Sequence, residues 1–495
     1  MAARNRQGLS TTPRVDARHL PPAGKSALMS RITIAGASGF IGTALCHELA
    51  GEHQVTALTR SRARAATPDP DPRITWRHCD LFSQSDVNRA LEGCERAIYL
   101  IHSLAPSSRL TQATPRDLDL ILADNFARAA AANGVRQIVF VSGLIPESFR
   151  ISRLLWSRRE VEMALGAHGV PVTVLRAGLV VGPGGSATRL MVELVRRMGV
   201  LILPPTARSV TRPIALRDLN RAIGYCLDHP GPCQGPLDIG GPEWLSYETM
   251  LRRTAQVLRL RRLVIPLPWM PERIAALGVR WITGAPAELV GPIMASLPRD
   301  TRIRSNPVQA HIDPHAIPFH QALEEAVDPE HKRLLPSPRQ PIRREVAAEL
   351  RQASLVRSIQ RILQPPGQDA AWVAGNYFRW LGSCCWPLVR TRLQEDGRIH
   401  VDLVWPGLRL LTLHHAPQAS GPERQVYYIT GGILARPSPG QARFEFQSVL
   451  GGRYTLAAIH DYAPALPWPI YRWTQAVVHL LVMRRYQHKL ARLAR

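Results

Sequence analysis

A glycine-rich turn between a short apolar strand and a helix constrains the fold of this chain most. Arg31–Ala35 (RITIA) is predicted to be a buried strand and Thr43–Ala50 a helix. Between them, Gly36 would permit a tight turn, Gly39 would let the backbone approach a pyrophosphate, and Gly42 would let the helix pack against the strand. The free N–H groups of the helix would face the phosphates. The predicted phosphate-binding loop comprises Gly36, Ala37, Ser38, Gly39, Phe40, Ile41 and Gly42.

Apolar and helical segments alternate after this turn. The predicted helices include Gln84–Leu91, Asp117–Ala132 and Trp156–His168. The predicted strands are Arg31–Ala35, Gln54–Thr59, Arg73–Arg77, Ala97–Ile101, Arg136–Ser142 and Val172–Leu175. Strands that alternate with helices form parallel sheets covered by helices on both faces. The sequence therefore predicts a Rossmann-type, doubly wound α/β domain with a dinucleotide at the glycine turn.

The end of the second strand bears on the choice of cofactor. A site that prefers NAD usually places an acid there to bind the ribose 2′-hydroxyl. This strand instead runs into Arg60 and Arg62, and the first acid after them is Asp69. Both arginines could pair with a 2′-phosphate, so NADP(H) is favoured over NAD(H). The alternative is that they only border a loop in an arginine-rich chain.

Further motifs follow the glycine turn in order. Asp80, next to Leu81 and just past the third strand, is placed to accept a hydrogen bond from an adenine amino group. Val139-Phe-Val-Ser142 ends the fifth strand, and Leu175-Arg-Ala-Gly178 and Asp238-Ile-Gly-Gly241 come later. With these motifs, the chain resembles the short-chain dehydrogenase/reductase superfamily over roughly residues 30–330, most of all its extended and atypical branches.

The proton-transferring residues of that superfamily are replaced here. The resemblance implies a Ser acting with a Tyr-x-x-x-Lys pair, and Ser142 matches the serine. The Tyr position falls on Leu154, which cannot transfer a proton, and the Lys position on Arg158, which could still hold a ribose. The candidate catalytic groups are therefore Ser142 and His102, which follows Ile101 at the cofactor edge. A structural role for His102 is the alternative.

Three functions stay open at this point. The first is an NADP(H)-dependent oxidoreductase of unknown substrate that uses a nonstandard proton donor. The second is a non-catalytic redox sensor, like the NmrA-like regulators among the atypical members, which the missing pair favours. The third is a hydrophobic-ligand or membrane-associated binding protein. The implied partners are a dinucleotide and an unknown small substrate, with a small carbonyl, a quinone and a hydrophobic molecule as the alternatives.

The chain divides into four predicted segments. Residues 1–29 form a disordered basic tail, 30–260 the NAD(P)-binding domain, 261–341 a helical, proline-rich cover and connector, and 342–495 an α+β domain. Within the second segment, residues 204–217 and 234–246 are assigned to the substrate side. The α+β domain begins with a predicted helix, Ile342–Ile362, continues with short strands between turn signals, and ends with a helix over Ile470–Leu493.

An antiparallel sheet curled around a long final helix resembles the helix-grip, or START-like, architecture. The final helix carries an apolar face formed by Ile470, Trp473, Val477, Leu480 and Leu481. Packing of this face inside the sheet is expected. Peripheral membrane contact is the alternative, because basic residues follow the apolar stripe: Arg484, Arg485, Lys489 and Arg492.

Composition narrows the remaining classes. The formal net charge is +24, but the arginines are spread along the whole chain without a block of like charges. This distribution gives no clear indication of a nucleic-acid partner. Seven cysteines without a CxxC spacing indicate a reducing compartment, and no metal-ligand cluster is evident. The expected location is the bacterial cytoplasm, with peripheral membrane contact open, and the oligomeric state is left undetermined.

Overall fold

The computed structural model describes residues 29–102, 110–146, 152–297, 300–337, 355–437 and 442–494. The predicted basic tail, apart from Met29, and residues 342–354 of the predicted α+β domain lie outside the described residues. The predicted fold class is confirmed. A parallel α/β unit comes first, and a separate antiparallel sheet with a long terminal helix follows.

The N-terminal unit contains short strands and twelve described helices. The strands are β1 (Arg31–Ala35), β2 (Gln54–Thr59), β3 (Ile74–His78), β4 (Arg96–Tyr99), β5 (Leu110–Gln112), β6 (Gln137–Gly143), β7 (Val172–Ala177), β8 (Val180–Val181), β9 (Val200–Leu203), β10 (Val210–Thr211), β11 (Ile214–Ala215), β12 (Gly235–Ile239), β13 (Leu245–Ser246), β14 (Leu263–Pro266), β15 (Val327–Asp328) and β16 (Arg333–Leu334). The helices are α1 (Phe40–Leu49), α2 (Arg62–Ala66), α3 (Gln84–Ala90), α4 (Pro115–Ala132), α5 (Arg153–Leu165), α6 (Ser186–Arg197), α7 (Leu216–Asp228), α8 (Tyr247–Val257), α9 (Glu272–Thr283), α10 (Ala287–Ser296), α11 (Pro307–Ile312) and α12 (Phe319–Glu324).

Seven parallel strands form the main sheet of this unit, in the order β12-β7-β6-β4-β1-β2-β3. Apolar clusters cover both faces, as expected for a doubly wound sheet. The sequence assigned residues 234–246 to the substrate side, and that is wrong for the strand Gly235–Ile239, which pairs with β7. The segment is short, and Pro236 is compatible only with an edge position, so its pattern resembles a loop.

Small two-stranded sheets and helices α6, α8–α10 and α12 form a region beside the main sheet. Strands β8 and β11, β9 and β14, and β10 and β13 pair across this region. Helices α9 and α10 lie within residues 261–341, the segment that the sequence predicts to be helical and proline-rich. A third apolar cluster, centred on Met191, Val192 and Leu258, holds this region together.

The C-terminal unit is one antiparallel sheet with helices on one face. Its strands are β17 (Val356–Leu363), β18 (Val389–Leu393), β19 (Arg398–Leu403), β20 (Arg409–His415), β21 (Arg424–Gly431), β22 (Arg443–Val449) and β23 (Tyr454–Tyr462). Its helices are α13 (Ala370–Cys384), α14 (Trp468–Trp473) and α15 (Gln475–Leu493). The strand order is β18-β19-β20-β21-β22-β23-β17, and β5 of the N-terminal unit adds a parallel strand beside β17.

The predicted helix over Ile342–Ile362 is wrong where the structure describes it, because β17 starts at Val356. Val356, Ile359 and Ile362 recur every third residue, which resembles a helical stripe. In the strand they alternate between the two faces, and all three are buried because both faces of the sheet are covered.

The final helix differs from the prediction in two ways. It is broken at Thr474, so α14 and α15 replace one continuous helix. The face that packs against the sheet contains Ala476, Met483, Tyr486 and Leu490. The predicted packing face is largely exposed instead, including Trp473 at 74% and Leu481 at 52%. The helix carries two apolar stripes, and periodicity alone identified the outer one.

Helix α4 joins the two units. Nearly all of its middle turns are buried, because the parallel sheet lies on one side and the antiparallel sheet on the other. Asp117 pairs with Arg361 of β17 at 2.7 Å, and Asp124 accepts a hydrogen bond from Gln447 of β22. Arg361 also contacts the buried Glu160 of α5 at 2.9 Å. Charged side chains, enclosed between the units, therefore fix how they dock.

Among the described residues, no helix combines the length and the hydropathy that crossing a bilayer would require.

Candidate cofactor site and catalytic edge

The glycine turn has the geometry that the sequence predicts. Gly36 has φ +89°, a conformation that L-residues rarely adopt. The Gly39 N–H donates to the Gly36 carbonyl oxygen at 2.9 Å and closes the turn. A Cβ on Gly42 would lie 2.3 Å from the same oxygen, so only glycine lets α1 pass this close to the strand end.

The first turn of α1 is open for an anionic group. Gly39 is its N-cap and makes no side-chain capping bond, so the N–H groups of the loop are not covered by a side chain there. Ala37 is buried, and Ser38, Phe40 and Ile41 are half-buried around this turn. The Phe40 ring packs against the Gly182–Gly185 loop, where an added Cβ would lie 3.1–3.3 Å from ring atoms.

The end of β2 presents basic side chains. Arg60 and Arg62 are both exposed, directly after the strand and at the start of α2. Asp69, the nearest following acid, is enclosed instead: it pairs with Arg64 at 2.6 Å and accepts from the Trp76 indole at 2.8 Å. The edge where a ribose 2′-substituent would lie therefore carries positive charge and no competing carboxylate from this segment.

Asp80 lies at the junction of the two units. Its carboxylate accepts from the Phe82 N–H at 3.1 Å and pairs with Arg357 of β17 at 3.2 Å. Burial acts to raise the pKa of Asp80, but Arg357 and the Phe82 hydrogen bond outweigh it and lower that pKa. The neighbouring Leu81 is buried, and its carbonyl accepts from Asn125. Any adenine bound by Asp80 would share this carboxylate with the C-terminal unit.

A histidine–aspartate pair lies at the carboxyl edge of the parallel sheet. His102 follows Ile101 just after β4, and its Nδ1 lies 3.1 Å from Oδ2 of Asp119 on α4. Asp119 is 2% exposed, whereas the His102 side chain is 31% exposed. A buried carboxylate that holds one ring nitrogen fixes the orientation of an accessible imidazole.

Ser142 is the last residue but one of the adjacent strand, β6. The β4–β6 register runs from Arg96↔Gln137 to Tyr99↔Phe140, so β6 continues three residues beyond the end of β4. Ser142 is buried, and its hydroxyl has no hydrogen-bond partner among the described residues. Such an orphaned buried hydroxyl is costly unless a ligand or water satisfies it.

Arg158 clamps the two strand ends instead of facing the solvent. Its guanidinium donates to the Ile101 carbonyl at 3.1 Å and to the Val141 carbonyl at 2.6 Å, over the Phe140 ring. Burial lowers the pKa of Arg158, although nearby Asp119 acts to raise it. Leu154, at the family's Tyr position, is half-buried. Two of the guanidinium donors are thus committed to the backbone.

The structure brings the predicted residues Ile101, His102, Ser142 and Arg158 together, and keeps Arg60 and Arg62 at a different strand end. Asp119 was missed by the sequence reasoning. Its signal was a carboxylate within the apolar run Leu118–Leu122 of a helix. Tyr99 was also missed; its hydroxyl is buried without a described partner, and burial followed by Asp119 raises its pKa well above the usual value. Among the described residues, no cluster of three or more potential metal ligands occurs.

Comparison with known proteins supports dinucleotide binding by the N-terminal unit. Residues 36–192 match the family model described as NAD(P)H-binding. Over 142 residues the chain is 32% identical to the auxiliary protein GraX of Staphylococcus aureus (strain NCTC 8325 / PS 47), covering 29% of this chain and 42% of GraX. The match places an NAD(P)H-binding region within the N-terminal unit, on the part of the parallel sheet that carries the glycine turn.

Two solved structures illustrate the similarity. A nucleoside-diphosphate-sugar epimerase from Staphylococcus aureus is 17% identical, with a TM-score of 0.48, and 60% of this chain covers all of it. The triphenylmethane reductase of Citrobacter sp. complexed with NADP(H) is 18% identical, with a TM-score of 0.47, again over 60% of this chain and all of the enzyme.

Proposed function

We propose that this chain is an NADP(H)-dependent oxidoreductase in which His102, oriented by Asp119, transfers the proton that a tyrosine transfers in typical short-chain dehydrogenases. The 3.1 Å contact between His102 Nδ1 and the buried Asp119 carboxylate carries this proposal. It lies at the carboxyl edge of the sheet, where ligands of open α/β sheets bind.

The residues at the cofactor end fit a dinucleotide. The positive φ of Gly36 and the uncapped first turn of α1 form a cradle for a phosphate, and Gly42 lets the helix lie this close to the strand end. The exposed Arg60 and Arg62 suit a 2′-phosphate, and Asp69 is already bound to Arg64 and Trp76. When bound, NADPH supplies the hydride.

Side chains of the protein transfer the proton to the substrate. Asp119 accepts from the Nδ1–H of His102, which leaves Nε2 as the nitrogen that exchanges a proton with substrate. A protonated His102 gives its Nε2 proton to the oxygen that a reduced carbonyl or quinone develops, and regains one from solvent. Ser142 supplies a buried hydroxyl to the same oxygen, and Arg158 holds the two strand ends in place. His102 therefore replaces the missing tyrosine in function.

Oxidation of NADPH by a panel of aldehydes and quinones, followed by absorbance, tests the role of His102. His102→Gln should lower kcat by about 10²–10⁴-fold while NADPH affinity stays unchanged, and Asp119→Asn should lower it less. His168→Gln is the matched control, because His168 pairs with Asp124 of the same helix at 3.0 Å but lies away from the strand ends. Unchanged kcat in His102→Gln would contradict the proposal.

The preference for NADP(H) has its own test. Arg60→Ala should weaken NADPH binding by about 1.5–3 kcal/mol and spare NADH, since only NADPH carries the 2′-phosphate. Arg89→Ala, an exposed change on α3, is the control. Calorimetric titration with both cofactors separates the cases. An equal loss for both would show that Arg60 does not bind the 2′-phosphate.

A non-catalytic NADP(H) sensor is the second candidate. It is favoured by the ion pair between Asp80, a predicted cofactor residue, and Arg357 of the C-terminal unit, which links cofactor occupancy to that unit. NADPH binding without oxidation by any tested carbonyl or quinone would support this reading. In a sensor, NADPH should change the protease sensitivity of the wild type, and Arg357→Gln should lose this change. That result would distinguish a sensor from a protein that is merely inactive.

For the C-terminal unit we propose the helix-grip topology as the best description. The support is its connectivity: one strand, a helix, six consecutive antiparallel strands and a terminal helix, with the first strand next to the last. Aromatic side chains fill the space between the sheet and its helices, among them Tyr377, Phe378, Phe444, Phe446 and Tyr486. This packing suits a structural element more than a ligand cavity.

A further inference from the structure

One end of the antiparallel sheet carries exposed tryptophans and aliphatic side chains. Trp405 is 85% exposed and Trp473 74%, values unusual for indoles in a folded protein. We call this set the indole surface: Trp386, Leu388, Trp405, Leu408, Ile433, Ile470 and Trp473, each at least 43% exposed.

Backbone contacts show that these residues lie at the same end. The start of strand β18 lies beside the end of β19, where the Val404 N–H donates to the Leu388 carbonyl at 2.9 Å. Ile433 donates to the carbonyl of Arg409, next to Leu408, at 3.0 Å. The segment before α14 joins this end through Ala465, whose N–H donates to the Leu434 carbonyl. The loops of four strands and helix α14 thus meet there.

The charge around this surface is positive. From Tyr462 to the C-terminus the chain has six Lys and Arg residues and no Asp or Glu. On α15 the exposed Val477, Val478 and Leu481 come first, and the exposed Arg484 and Arg485 follow about 10 Å further along the helix axis. Indoles and aliphatic groups next to a cationic belt match the layers of a membrane surface, in which acyl chains lie below acidic headgroups.

We propose that the indole surface docks on the surface of a bilayer that contains anionic phospholipid. The apolar side chains insert at the boundary between headgroups and acyl chains, and the arginines of α15 bind the phosphates. A partner protein would need an acidic patch of its own to match this belt, whereas acidic lipid supplies it uniformly.

The same end of the antiparallel sheet reaches the junction of the two units. It contains the start of β17, which pairs with β5 of the N-terminal unit. The Gln112 side chain of β5 donates to the Ala476 carbonyl at the start of α15. Docking in this way would therefore bring the membrane next to β5.

Vesicle flotation of the full chain tests the proposal. The wild type should float with phosphatidylcholine vesicles containing about a quarter phosphatidylglycerol, and at least about tenfold less with phosphatidylcholine alone or in high salt. The double variant Trp405→Ser/Trp473→Ser should lose at least about tenfold of this binding. Arg484→Gln/Arg485→Gln should lose a similar factor for the anionic vesicles only.

Controls keep the result interpretable. Trp281→Ser removes an 89% exposed indole from α9, outside the indole surface, and should float like the wild type. An unchanged midpoint in chemical unfolding shows that each variant is folded. The proposal is overturned if the wild type does not float, if Trp281→Ser loses as much as the double variant, or if the double variant floats normally. The proposal is also overturned if the wild type binds no vesicles and forms a dimer that Trp405→Ser dissociates. The indole surface would then be a contact between two copies of the chain.

Discussion

The two sheets of this molecule are both covered on both faces, but by different chemistry. The parallel sheet has apolar clusters on each side, and its candidate phosphate-binding features lie in the backbone of one local turn. The antiparallel sheet has an aromatic core on one face. Its other face is lined by Arg357, Arg361, Arg443 and Glu445, enclosed against the N-terminal unit.

This difference separates two ways of specifying structure. The glycine turn is specified within seven consecutive residues, so substitutions there act sterically and locally. The junction is specified by charges far apart in sequence, such as Arg361 with Asp117 and Glu160. These ion pairs stabilise the protein only when both units are folded and docked. Breaking a buried pair of this kind leaves an uncompensated charge.

The largest effect is expected at the turn. Gly42→Ala places a Cβ 2.3 Å from the Gly36 carbonyl oxygen and 2.6 Å from the Ala37 Cα, both rigid backbone atoms. We expect at least about 3 kcal/mol of destabilisation and loss of NADPH binding. Gly224→Ala in α7 is the control: a Cβ there meets nothing within 4 Å, so it should stabilise slightly. Denaturant unfolding measures both; a tolerated Gly42→Ala would contradict the tight packing.

Local patterns account for what the sequence predicted well. The bounds of β1 and β2 agree with the prediction, since each is a short apolar run bordered by turn residues. The glycine roles follow from spacing alone. The short strands of the C-terminal unit from β19 to β23 were also found, because Gly and Pro mark the turns between them.

Three of the misses involve contacts with residues distant in sequence. Asp119 orients His102 from another element, and a single sequence does not say which of three acids in α4 faces the site. Strand β17 was taken for a helix because its two buried faces hid the alternation. The outer stripe of α15 was assigned to the core because the helix has a second, inner stripe.

A smaller effect is expected at the junction. Arg361→Ala removes a partner from Glu160 and Asp117, whose side chains are 3% and 10% exposed. Because Glu160 keeps Arg116, we expect about 2–4 kcal/mol, near the lower end of losses for broken buried pairs. Arg89→Ala, which breaks the exposed pair with Asp86, should cost less than about 1 kcal/mol. Equal losses in chemical unfolding would mean that the junction is no stronger than a surface contact.

The smallest effect concerns His460 of β23, which is fully buried with no described hydrogen-bond partner for either ring nitrogen. Burial, then Arg443, lowers the pKa of His460 well below its usual value; Arg357 acts with them, while Glu445 and Asp80 oppose them. The unfolded chain therefore takes up the proton first as the pH falls. Stability that is present above about pH 6.5 is lost below it, by about 1.4 kcal/mol per pH unit for one proton.

Replacing this histidine should flatten the acid limb of the stability curve. His460→Phe keeps a ring beside Phe82, 5.8 Å away in the wild type, and has no proton to bind. Between pH 6.5 and 5.5 its free energy of unfolding should fall by about 1 kcal/mol less than that of the wild type. His320→Gln, an exposed change, should leave the slope unchanged. If His460→Phe kept the wild-type slope, the charged face of the antiparallel sheet would be accessible to water. The two sheets would then differ only in how far apart in sequence the residues that specify them lie.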